Sequence, residues 1–342
     1  MMDAPPEPEQ PTTTETAVSV VIPTYNRSRL LKEAIESLWN QTLDPRRFEI
    51  IVVDNASVDG TPDMMRELQA RSPCRLVYHR LPADHGPAWA RNEGVRLAKG
   101  ELIAFTDSDC RADREWLVKG LGAFRQDVAF VTGSVVYKPE QRARFFSGVS
   151  APLTKEHPSY PTCNAFYRRK VFLDMGGFDA TLCYNTFLSR PMECADTDLA
   201  WRIKESGCKN VFLPDLVIYH EIGVKSPWNW ILDPFRLFVV PALVRRHPQL
   251  RIGLLHGRIF FFKENALFYL GVLGALLAIL LHWSFLILAL AYPALVAFVL
   301  KENLTLRKFP ALVLQILLLA VRQAFICAGL IYGSIRFRSV VL

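Results

Sequence analysis

Apolar runs alternate with amphipathic stretches along the chain from position 18 onward. The first run, residues 18–22, predicts a strand that ends at Pro23. Ile35 and Leu38 then recur at helical spacing and predict a helix that begins at about Ser28. The same cycle predicts further strands over 50–53, 76–79, 102–106, 128–136 and 211–219, and further helices over 62–70, 87–98, 170–175 and 196–206. This rhythm is typical of an α/β domain in which helices cover both faces of a mainly parallel sheet.

The pattern changes after position 225, and long apolar runs begin at position 266. Residues 226–265 mix aromatic and basic side chains. That mixture suits an amphipathic segment at a lipid headgroup boundary, and it equally suits a linker helix packed on the preceding domain. Residues 266–281 and 284–300 are two runs without a charge. Each is near the lower length limit for a bilayer core of ~30 Å, so together they predict a tight helical hairpin over 266–300.

A third apolar segment, residues 309–335, is long enough to cross a bilayer. Arg322 and Gln323 lie at its middle, however, and a charged group there is costly in lipid. The segment is therefore either a third crossing or a re-entrant or interfacial pair of half-helices. Lys301, Arg307 and Lys308 belong in the cytosol by the positive-inside bias, together with the N-terminal domain. We expect a protein of the inner (cytoplasmic) membrane whose first domain is cytosolic.

Charge and cysteine usage narrow the class of partner. The formal net charge is +7, yet the basic residues do not form a stripe with interleaved aromatics. They cluster beside the apolar segments, as Arg245, Arg246, Arg251 and Arg258 do, which indicates a membrane surface and no nucleic acid. The seven cysteines lack CxxC spacing and so signal neither a disulfide framework nor a zinc site. Residues 1–17 are rich in Pro, Glu and Thr and predict a disordered tail without a signal peptide.

Polar side chains follow the predicted strands at the points where ligands bind in α/β sheets. Residues 24–26 follow the first strand, Asp54 follows the second, and Asp107 and Asp109 follow the strand over 102–106. Two carboxylates at alternate positions suit Mg²⁺ or Mn²⁺, which one or two carboxylates hold together with diphosphate oxygens. Taken alone, the same pair is also typical of a turn or a helix N-cap.

Six motifs in order make the sequence similar to the inverting glycosyltransferases of family 2, which have the GT-A fold. They are spread over residues 18–225, about two-thirds of the chain, and they are 21–27 (VIPTYNR), 52–61 (VVDNASVDGT), 86–94 (GPAWARNEG), 107–109 (DSD), 176–179 (GGFD) and 196–202 (DTDLAWR). The resemblance implies a Rossmann-like catalytic domain that uses a nucleotide sugar in the synthesis of a cell envelope glycan or glycolipid. It also implies that the following helices anchor the chain in a membrane.

The resemblance assigns the donor and metal residues. Asp109 matches the metal ligand, with Mg²⁺ or Mn²⁺ as the cofactor, and His220 matches a histidine that often completes this site. A strand-end histidine satisfied by the backbone is the alternative for His220. The positions that match donor nucleotide contacts are Pro23, Thr24, Tyr25, Asn26, Asp54, Arg91, Asp107 and Ser108.

Asp196 matches the general base of the family. Inversion requires a carboxylate within ~3 Å of the acceptor hydroxyl, on the face opposite the leaving diphosphate. We therefore expect Asp109 and Asp196 to face each other across one cleft. The alternative for Asp196 is a helix N-cap. On the acceptor side the assigned residues are Asp198, Gly177 and Asn164, and Asp198 could instead serve as a cap.

Two departures from the family pattern refine the prediction. Ala195 stands where many relatives carry an acidic residue before the base, although Glu193 could substitute for it. The processive signature Gln-x-x-Arg-Trp is absent from the sequence, which favours transfer of a single sugar. The acceptor is then a lipid-linked or other membrane-proximal glycan hydroxyl. Other readings are a membrane-tethered nucleotide-binding or scaffold protein with little turnover, and a nucleotidyltransferase.

The predicted domains are a tail over 1–17, a catalytic domain over 18–225, an interfacial segment over 226–265 and a membrane domain over 266–342. The sugar, the nucleotide base and the acceptor depend on pocket shape in the loops 138–162 and 183–195. The sequence does not specify them.

Overall fold

The computed structural model describes residues 16–148, 152–184, 192–299 and 309–342. Of the predicted tail, only residues 16 and 17 lie inside these ranges. Parts of the loops 138–162 and 183–195 lie outside them. The chain divides into two compact units that interleave along the sequence and do not follow the predicted boundary at 225, which stays a prediction. The first unit comprises residues up to Ser134 with Thr162–Asp174 and Lys209–Tyr219, and the second comprises Val135–Pro161, Met175–Cys208 and His220–Leu342.

The first unit is built on an eight-stranded sheet with the order β3-β2-β1-β4-β8-β6-β11-β5. Strand β2 is parallel to β1 and β3, and β4 is parallel to β1, whereas β8 is antiparallel to both β4 and β6. The sheet is therefore mixed, with a parallel half of the predicted kind. Its strands are β1 Val18–Thr24, β2 Phe48–Asp54, β3 Arg75–Arg80, β4 Leu102–Phe105, β5 Cys110–Ala112, β6 Val128–Tyr137, β8 Ala165–Arg168 and β11 Lys209–His220.

Helices cover this sheet because the apolar face of each helix packs against the apolar side chains of the strands. Every residue of β1 and β2 is buried, as expected for central strands with helices on both faces. Helix α3 lies so close to β1 that a Cβ at Gly94 would clash with Val21, so glycine is required there. The elements that complete the unit are α1 Ser28–Trp39, η1 Pro45–Arg47, α2 Thr61–Ala70, α3 Pro87–Leu97, α4 Trp116–Gly122, η2 Thr162–Asn164 and α5 Arg169–Asp174.

The second unit is mainly helical. Two small antiparallel sheets, β9 with β10 and β7 with β12, accompany its helices. The strands are β7 Ser147–Gly148, β9 Cys183–Tyr184, β10 Met192–Glu193 and β12 Gly223–Val224. The helical elements are α6 Ala195–Glu205, α7 Pro227–Leu232, η3 Asp233–Val239, α8 Val240–Arg246, α9 Leu250–Leu254, α10 Lys263–Leu280, η4 Trp283–Phe285, α11 Leu286–Ala289, α12 Ala291–Val299 and α13 Phe309–Phe337.

The segment over 226–265 consists of short helices. Phe235 and Phe238 are buried, and α13 packs against them through Gly329 and Gly333, where an added Cβ would meet the backbone of Phe235 and Phe238. This contact joins η3 to the third apolar segment, so both interpretations of residues 226–265 stay predictions. Trp228 is 73% exposed, and contact between this side chain and lipid stays a prediction.

Two helices among the described residues are long and apolar enough to cross a bilayer. They are Lys263–Leu280, with a mean hydropathy of 1.5, and Val313–Phe337, with 2.0. Only 17% and 28% of these residues are buried, so most of their apolar side chains face outward. A turn at His282 follows α10 as predicted, since the imidazole accepts a hydrogen bond from the backbone N–H of Ser284. The second arm of the hairpin differs from the expectation, because it is divided into η4, α11 and α12.

Helix α13 is continuous over 29 residues, or about 43 Å at 1.5 Å per residue. The alternative of two half-helices is therefore wrong. The Arg322 guanidinium donates to the Trp230 carbonyl and lies 4.5 Å from the centre of its indole ring. The Gln323 amide donates to Asn265 at 2.5 Å. Polar groups at mid-helix have partners inside the unit, so the helix has no need to break.

Candidate active site

The carboxyl ends of three neighbouring strands bring the predicted donor residues of the first unit to one edge of the sheet. Thr24 pairs in register with Asp54, and the register of β1 with β4 places Val21 beside Phe105. Because parallel strands end at the same edge, Asp107 follows Phe105 there. The sequence prediction of a shared edge is confirmed for these strands.

Asp54 shapes this edge from inside. Its side chain is fully buried, and its carboxylate accepts from the Tyr78 hydroxyl at 2.5 Å and from the Ser57 backbone N–H at 2.9 Å. The Arg80 Nε lies 3.8 Å away. Burial is the main cause that raises the pKa of the Tyr78 hydroxyl, and the hydrogen bond to Asp54 raises the pKa further. The hydroxyl therefore keeps its proton and remains a donor. Asp54 therefore holds the loop after β2 in place, and its predicted contact with the nucleotide stays a prediction.

The loop after β1 is joined to the loop after β2. Asn26 has a positive φ of 52°, a conformation that asparagine tolerates. Its backbone N–H donates to the Ser57 hydroxyl at 2.9 Å, and its side-chain oxygen accepts from the Val58 N–H at 2.7 Å. Tyr25 is 47% exposed beside it. The buried Thr24 hydroxyl has no hydrogen-bond partner among the described residues. A ligand at this edge would therefore find an aromatic face and an unused hydroxyl. The buried Pro23 pairs with Val53 within the sheet, and the pairing continues to Thr24.

The two carboxylates after β4 each face an arginine. Arg91 lies 2.7 Å from Asp107, and Arg27 lies 2.5 Å from Asp109. The carboxylate side chains are 26% and 13% exposed, so ligands can reach them, whereas Ser108 between them is buried. Carboxylate oxygens are the ligands that Mg²⁺ and Mn²⁺ prefer, and arginines are well suited to phosphate oxygens. The donor set therefore fits a hard divalent cation together with a diphosphate.

Cys110 follows Asp109 and is buried. Burial is the main cause that raises the pKa of the Cys110 thiol well above the ordinary value, and the neighbouring Cys163 raises it further.

In the second unit, Asp196 lies in the first turn of α6 and is partly exposed. Its carboxylate accepts from the Thr197 backbone N–H at 2.8 Å. Cys194 occupies the N-cap position, so the N-cap interpretation of Asp196 is wrong. The N-terminal end of a helix favours a negative charge, which suits a carboxylate that must accept a proton. The role of Asp196 as base stays a prediction.

The structure changes the interpretation of Asp198. Its side chain is fully buried, and its oxygens lie 2.6 Å from Arg246, 2.8 Å from Arg202 and 3.0 Å from His247. Burial opposes ionisation, but hydrogen bonds from His247 and Arg202 lower the pKa of Asp198 overall. The acceptor-side assignment of Asp198 is therefore not supported, because its oxygens are saturated inside the protein.

Gly177 and Asn164 also lie inside their units. The Gly177 carbonyl accepts from Arg202 at 2.6 Å. Asn164 is 1% exposed, and its amide donates to the carbonyls of Ser134 and Leu216, each at 2.8 Å. Its side-chain oxygen accepts from the Trp116 indole at 2.8 Å. Neither amide hydrogen remains for an acceptor, so we leave Asn164 out of the proposed acceptor side.

His220 ends β11 and is partly exposed. Its Nδ1 lies 2.8 Å from the Glu221 carbonyl, the kind of backbone contact that the alternative interpretation expects. Glu221 pairs with the buried Lys138 at 2.8 Å. The predicted metal role of His220 stays a prediction.

Several residues of this edge and of α6 were not singled out as site residues from the sequence. Arg27 lies within the motif 21–27, so the signal was present. Tyr78 and His247 carry no local signal, since their partners Asp54 and Asp198 are 24 and 49 positions away.

Comparison with known proteins places these motifs in a family. The family described as "Glycosyl transferase family 2" matches residues 19–182. A poly(ribitol-phosphate) beta-glucosyltransferase of Bacillus spizizenii is 34% identical over 115 residues, which are 34% of this chain and 18% of that protein. The glycosyltransferase AglE of Haloferax volcanii is 29% identical over 261 residues, which are 68% of this chain and 80% of that protein. This chain thus spans under a fifth of the first relative and most of the second.

A solved structure is similar over nearly the whole chain. The mannosyltransferase PcManGT of Pyrobaculum calidifontis, in complex with GDP-Man and Mn²⁺, gives a TM-score of 0.57 at 22% identity. The match covers 94% of this chain and 88% of that one. At this identity the likeness shows a common fold.

Proposed function

The chain belongs to the family 2 glycosyltransferases through its domain over residues 19–182, and we propose that it transfers a single sugar from a nucleotide diphosphate sugar to an acceptor hydroxyl, with inversion. The observation that carries the proposal is the pair of reachable carboxylates, Asp107 and Asp109, at the sheet edge, each facing an arginine. Acids and cations placed together are what a metal-bound diphosphate requires.

The donor is proposed to bind at this edge of the first unit. Tyr25 offers an exposed ring and Thr24 an unused hydroxyl to the nucleoside. Arg91 and Arg27 offer guanidinium groups to the phosphates. A donor that draws Arg27 toward phosphate oxygens would release Asp109 for the cation. These side chains suit a nucleotide sugar in general. The donor panel described below identifies the nucleotide base and the sugar.

Mg²⁺ or Mn²⁺ is the proposed cofactor, with Asp109 and His220 as ligands and Asp107 beside them. A divalent cation there would offset the charge that develops on the departing diphosphate. The mannosyltransferase with the similar fold was solved with Mn²⁺. The oxygens of Asp107 and Asp109 suit either ion.

Asp196 is the proposed general base. It is a partly exposed carboxylate in the first turn of α6, where the helix end favours its charged form. The carboxylate would accept the proton of the acceptor hydroxyl as that oxygen attacks the anomeric carbon, with the nucleotide diphosphate leaving on the opposite side.

The acceptor is proposed to be lipid-linked or otherwise close to a membrane, and the chain is proposed to lie at the inner membrane with its catalytic domain in the cytosol. The outward-facing apolar side chains of α10 and α13 support this proposal. Relatives include an enzyme named for poly(ribitol phosphate).

The test uses the full-length protein in detergent or nanodiscs, with a panel of nucleotide sugars and either Mn²⁺ or Mg²⁺. One donor should raise the thermal midpoint only with the metal and should be hydrolysed slowly without an acceptor. Asp196→Asn should keep donor binding and lose at least about 100-fold in turnover. Asp63→Asn is the matched control, because Asp63 is 74% exposed on α2 and should leave turnover unchanged.

The other outcomes are equally informative. Donor binding without turnover in the wild type, across donors and lipid acceptors, would indicate a nucleotide-binding scaffold. Release of pyrophosphate from a nucleoside triphosphate would indicate a nucleotidyltransferase. Either result would overturn the proposed sugar transfer.

A further inference from the structure

Helix α6 carries a cluster of charged side chains besides Asp196. Asp198, Arg202 and Glu205 follow one another at spacings of four and three, so they lie on one face of the helix. Asp198 is fully buried, and Glu205 is 32% exposed. A buried carboxylate is costly unless donors surround it, so this face requires partners.

His247, directly after α8, is one of those partners. Its Nε2 lies 3.0 Å from an Asp198 oxygen and its Nδ1 lies 2.9 Å from a Glu205 oxygen. The imidazole is 2% exposed. Carboxylates only accept hydrogen bonds, so the arrangement requires a hydrogen on both ring nitrogens and hence a charged imidazolium. Burial opposes this charge, but the hydrogen bonds to Asp198 and Glu205 raise the pKa of His247 overall.

Two arginines extend the cluster to other segments of the second unit. Arg246 lies 2.6 Å from Asp198 and 2.9 Å from Asp179. Arg202 lies 2.8 Å from Asp198 and donates to the Gly177 carbonyl at 2.6 Å. The cluster therefore ties α6 to the end of α8 and to the loop over 175–179. The charged groups that face His247 are Asp198 and Glu205 from α6 and, through Asp198, Arg202 and Arg246.

We propose that His247 is a positioning residue for Asp196: by joining Asp198 and Glu205 to the end of α8, it fixes the start of the helix that presents the base. The inference rests on the proposed function, in which Asp196 takes the proton of the acceptor. Asp196 lies two residues before Asp198 in the same helical turn, so a shift of Asp198 displaces Asp196 as well. Proton transfer from a bound hydroxyl is sensitive to displacements of about 1 Å.

The direction of the effect follows from the cluster. Without the imidazolium, Asp198 retains Arg202 and Arg246, so the end of α8 stays joined to it through Arg246, but Glu205 loses its link to this end of α8. Helix α6 should then remain folded while its first turn gains freedom. The donor residues belong to other elements, so the effect should fall on kcat and leave the KM for the donor nearly unchanged.

The experiment compares His247→Gln with His256→Gln in the full chain. Glutamine can replace one hydrogen bond but carries no charge, and His256 is an exposed histidine of the same unit. His247→Gln should lower kcat by about 10- to 100-fold with less than a twofold change in the KM for the donor. In the wild type, kcat should fall at alkaline pH as His247 loses its proton, and this limb should be missing in His247→Gln.

A second measurement does not depend on turnover. Hydrogen exchange of the wild type should show that the amides of residues 198–200, which bond to the carbonyls of residues 194–196, lose protection between pH 6 and pH 9, after correction for the intrinsic rate, while β1 keeps its protection. This result is expected even if His247→Gln fails to fold or if the wild type has no transferase activity, so failure of the proposed function is recognised separately.

Two results would overturn the proposal. One is a His247→Gln protein with the kcat and the pH profile of His256→Gln. The other is unchanged protection of the amides of residues 198–200 across the alkaline range.

Discussion

A pair of aspartates in the first unit and a single aspartate in the second differ in how far a ligand can reach them. Asp107 and Asp109 of the first unit are partly exposed, and each has an arginine within 2.7 Å. Asp198 of the second unit is fully buried and has three cationic partners. Residue type and motif membership are the same in both groups. What differs is exposure, which indicates which acids a ligand can reach.

The largest expected effect is on the buried member of the comparison. Asp198→Asn would leave Arg202, Arg246 and His247 without their shared anion in a buried site. We expect the free energy of unfolding to fall by about 3–5 kcal/mol, the range for removal of one partner from a buried ion pair. Chemical denaturation in detergent measures it. An Asp198→Asn protein of wild-type stability would show that the three cationic partners do not depend on this carboxylate.

Asp109→Asn should show the opposite profile. Its partner Arg27 is 45% exposed, so solvent can take over the lost interaction and the stability should change by about 1 kcal/mol or less. Binding of Mn²⁺ in the presence of the nucleotide diphosphate should weaken at least about tenfold, because a carboxylate ligand is lost. Electron paramagnetic resonance of free Mn²⁺ reports this directly, with Asp63→Asn as the control. Unchanged binding would exclude Asp109 as a ligand.

A dependence of stability on pH should arise mainly from the buried cluster. The pKa of Asp198 is lowered in the folded state, so its contribution is present above the unfolded pKa and is lost as the pH falls through the folded value. The pKa of His247 is raised, so its contribution is complete below the unfolded pKa and is lost as the pH rises through the folded value. Stability should be greatest between these limits. His247→Gln should remove the alkaline loss, as thermal midpoints across pH 4–10 would show.

The smallest effect is expected at a pair that is exposed on both sides. Asp63 and Arg66 are each 74% exposed on α2. Arg66→Ala should change the free energy of unfolding by about 0.5 kcal/mol or less, since such pairs are screened and mobile. A change comparable to that of Asp198→Asn would show that exposure is a poor guide to the importance of ion pairs in this chain.

The first unit was largely predictable because its signals are local. Helix α1 begins at Ser28 as expected, and β2 extends the predicted 50–53 by only three residues in total. Strand β1 runs past Pro23 to Thr24, which its pairing with β2 permits. The insertion of β8 between β4 and β6 was not predictable, because pairing with strands far away in the sequence leaves no periodic trace.

The second unit was less predictable for the same reason. Asp198 lies in the motif 196–202, which suggested a substrate contact. In the structure it is buried beside His247, which is 49 positions away in the sequence. Arg322 left open whether residues 309–335 form one helix or two half-helices, and its partner Trp230 is 92 positions away. A polar residue in an apolar run is compatible with a continuous helix when it has such a partner, and it disfavours one when it has none. Sequence spacing does not reveal the partner.

The close approach of α13 to η3 at Gly329 and Gly333 bears on how this protein can be engineered. Segment η3 continues directly into α8, whose Arg246 grips Asp198 on α6. Helix α13 is therefore part of the packed second unit, and it cannot be removed or replaced by a soluble tag without loss of these contacts. Its removal would uncover Phe235 and Phe238 and loosen the scaffold behind the helix that bears Asp196. A water-soluble version should keep the inward face of α13 and replace only its outward leucines and valines.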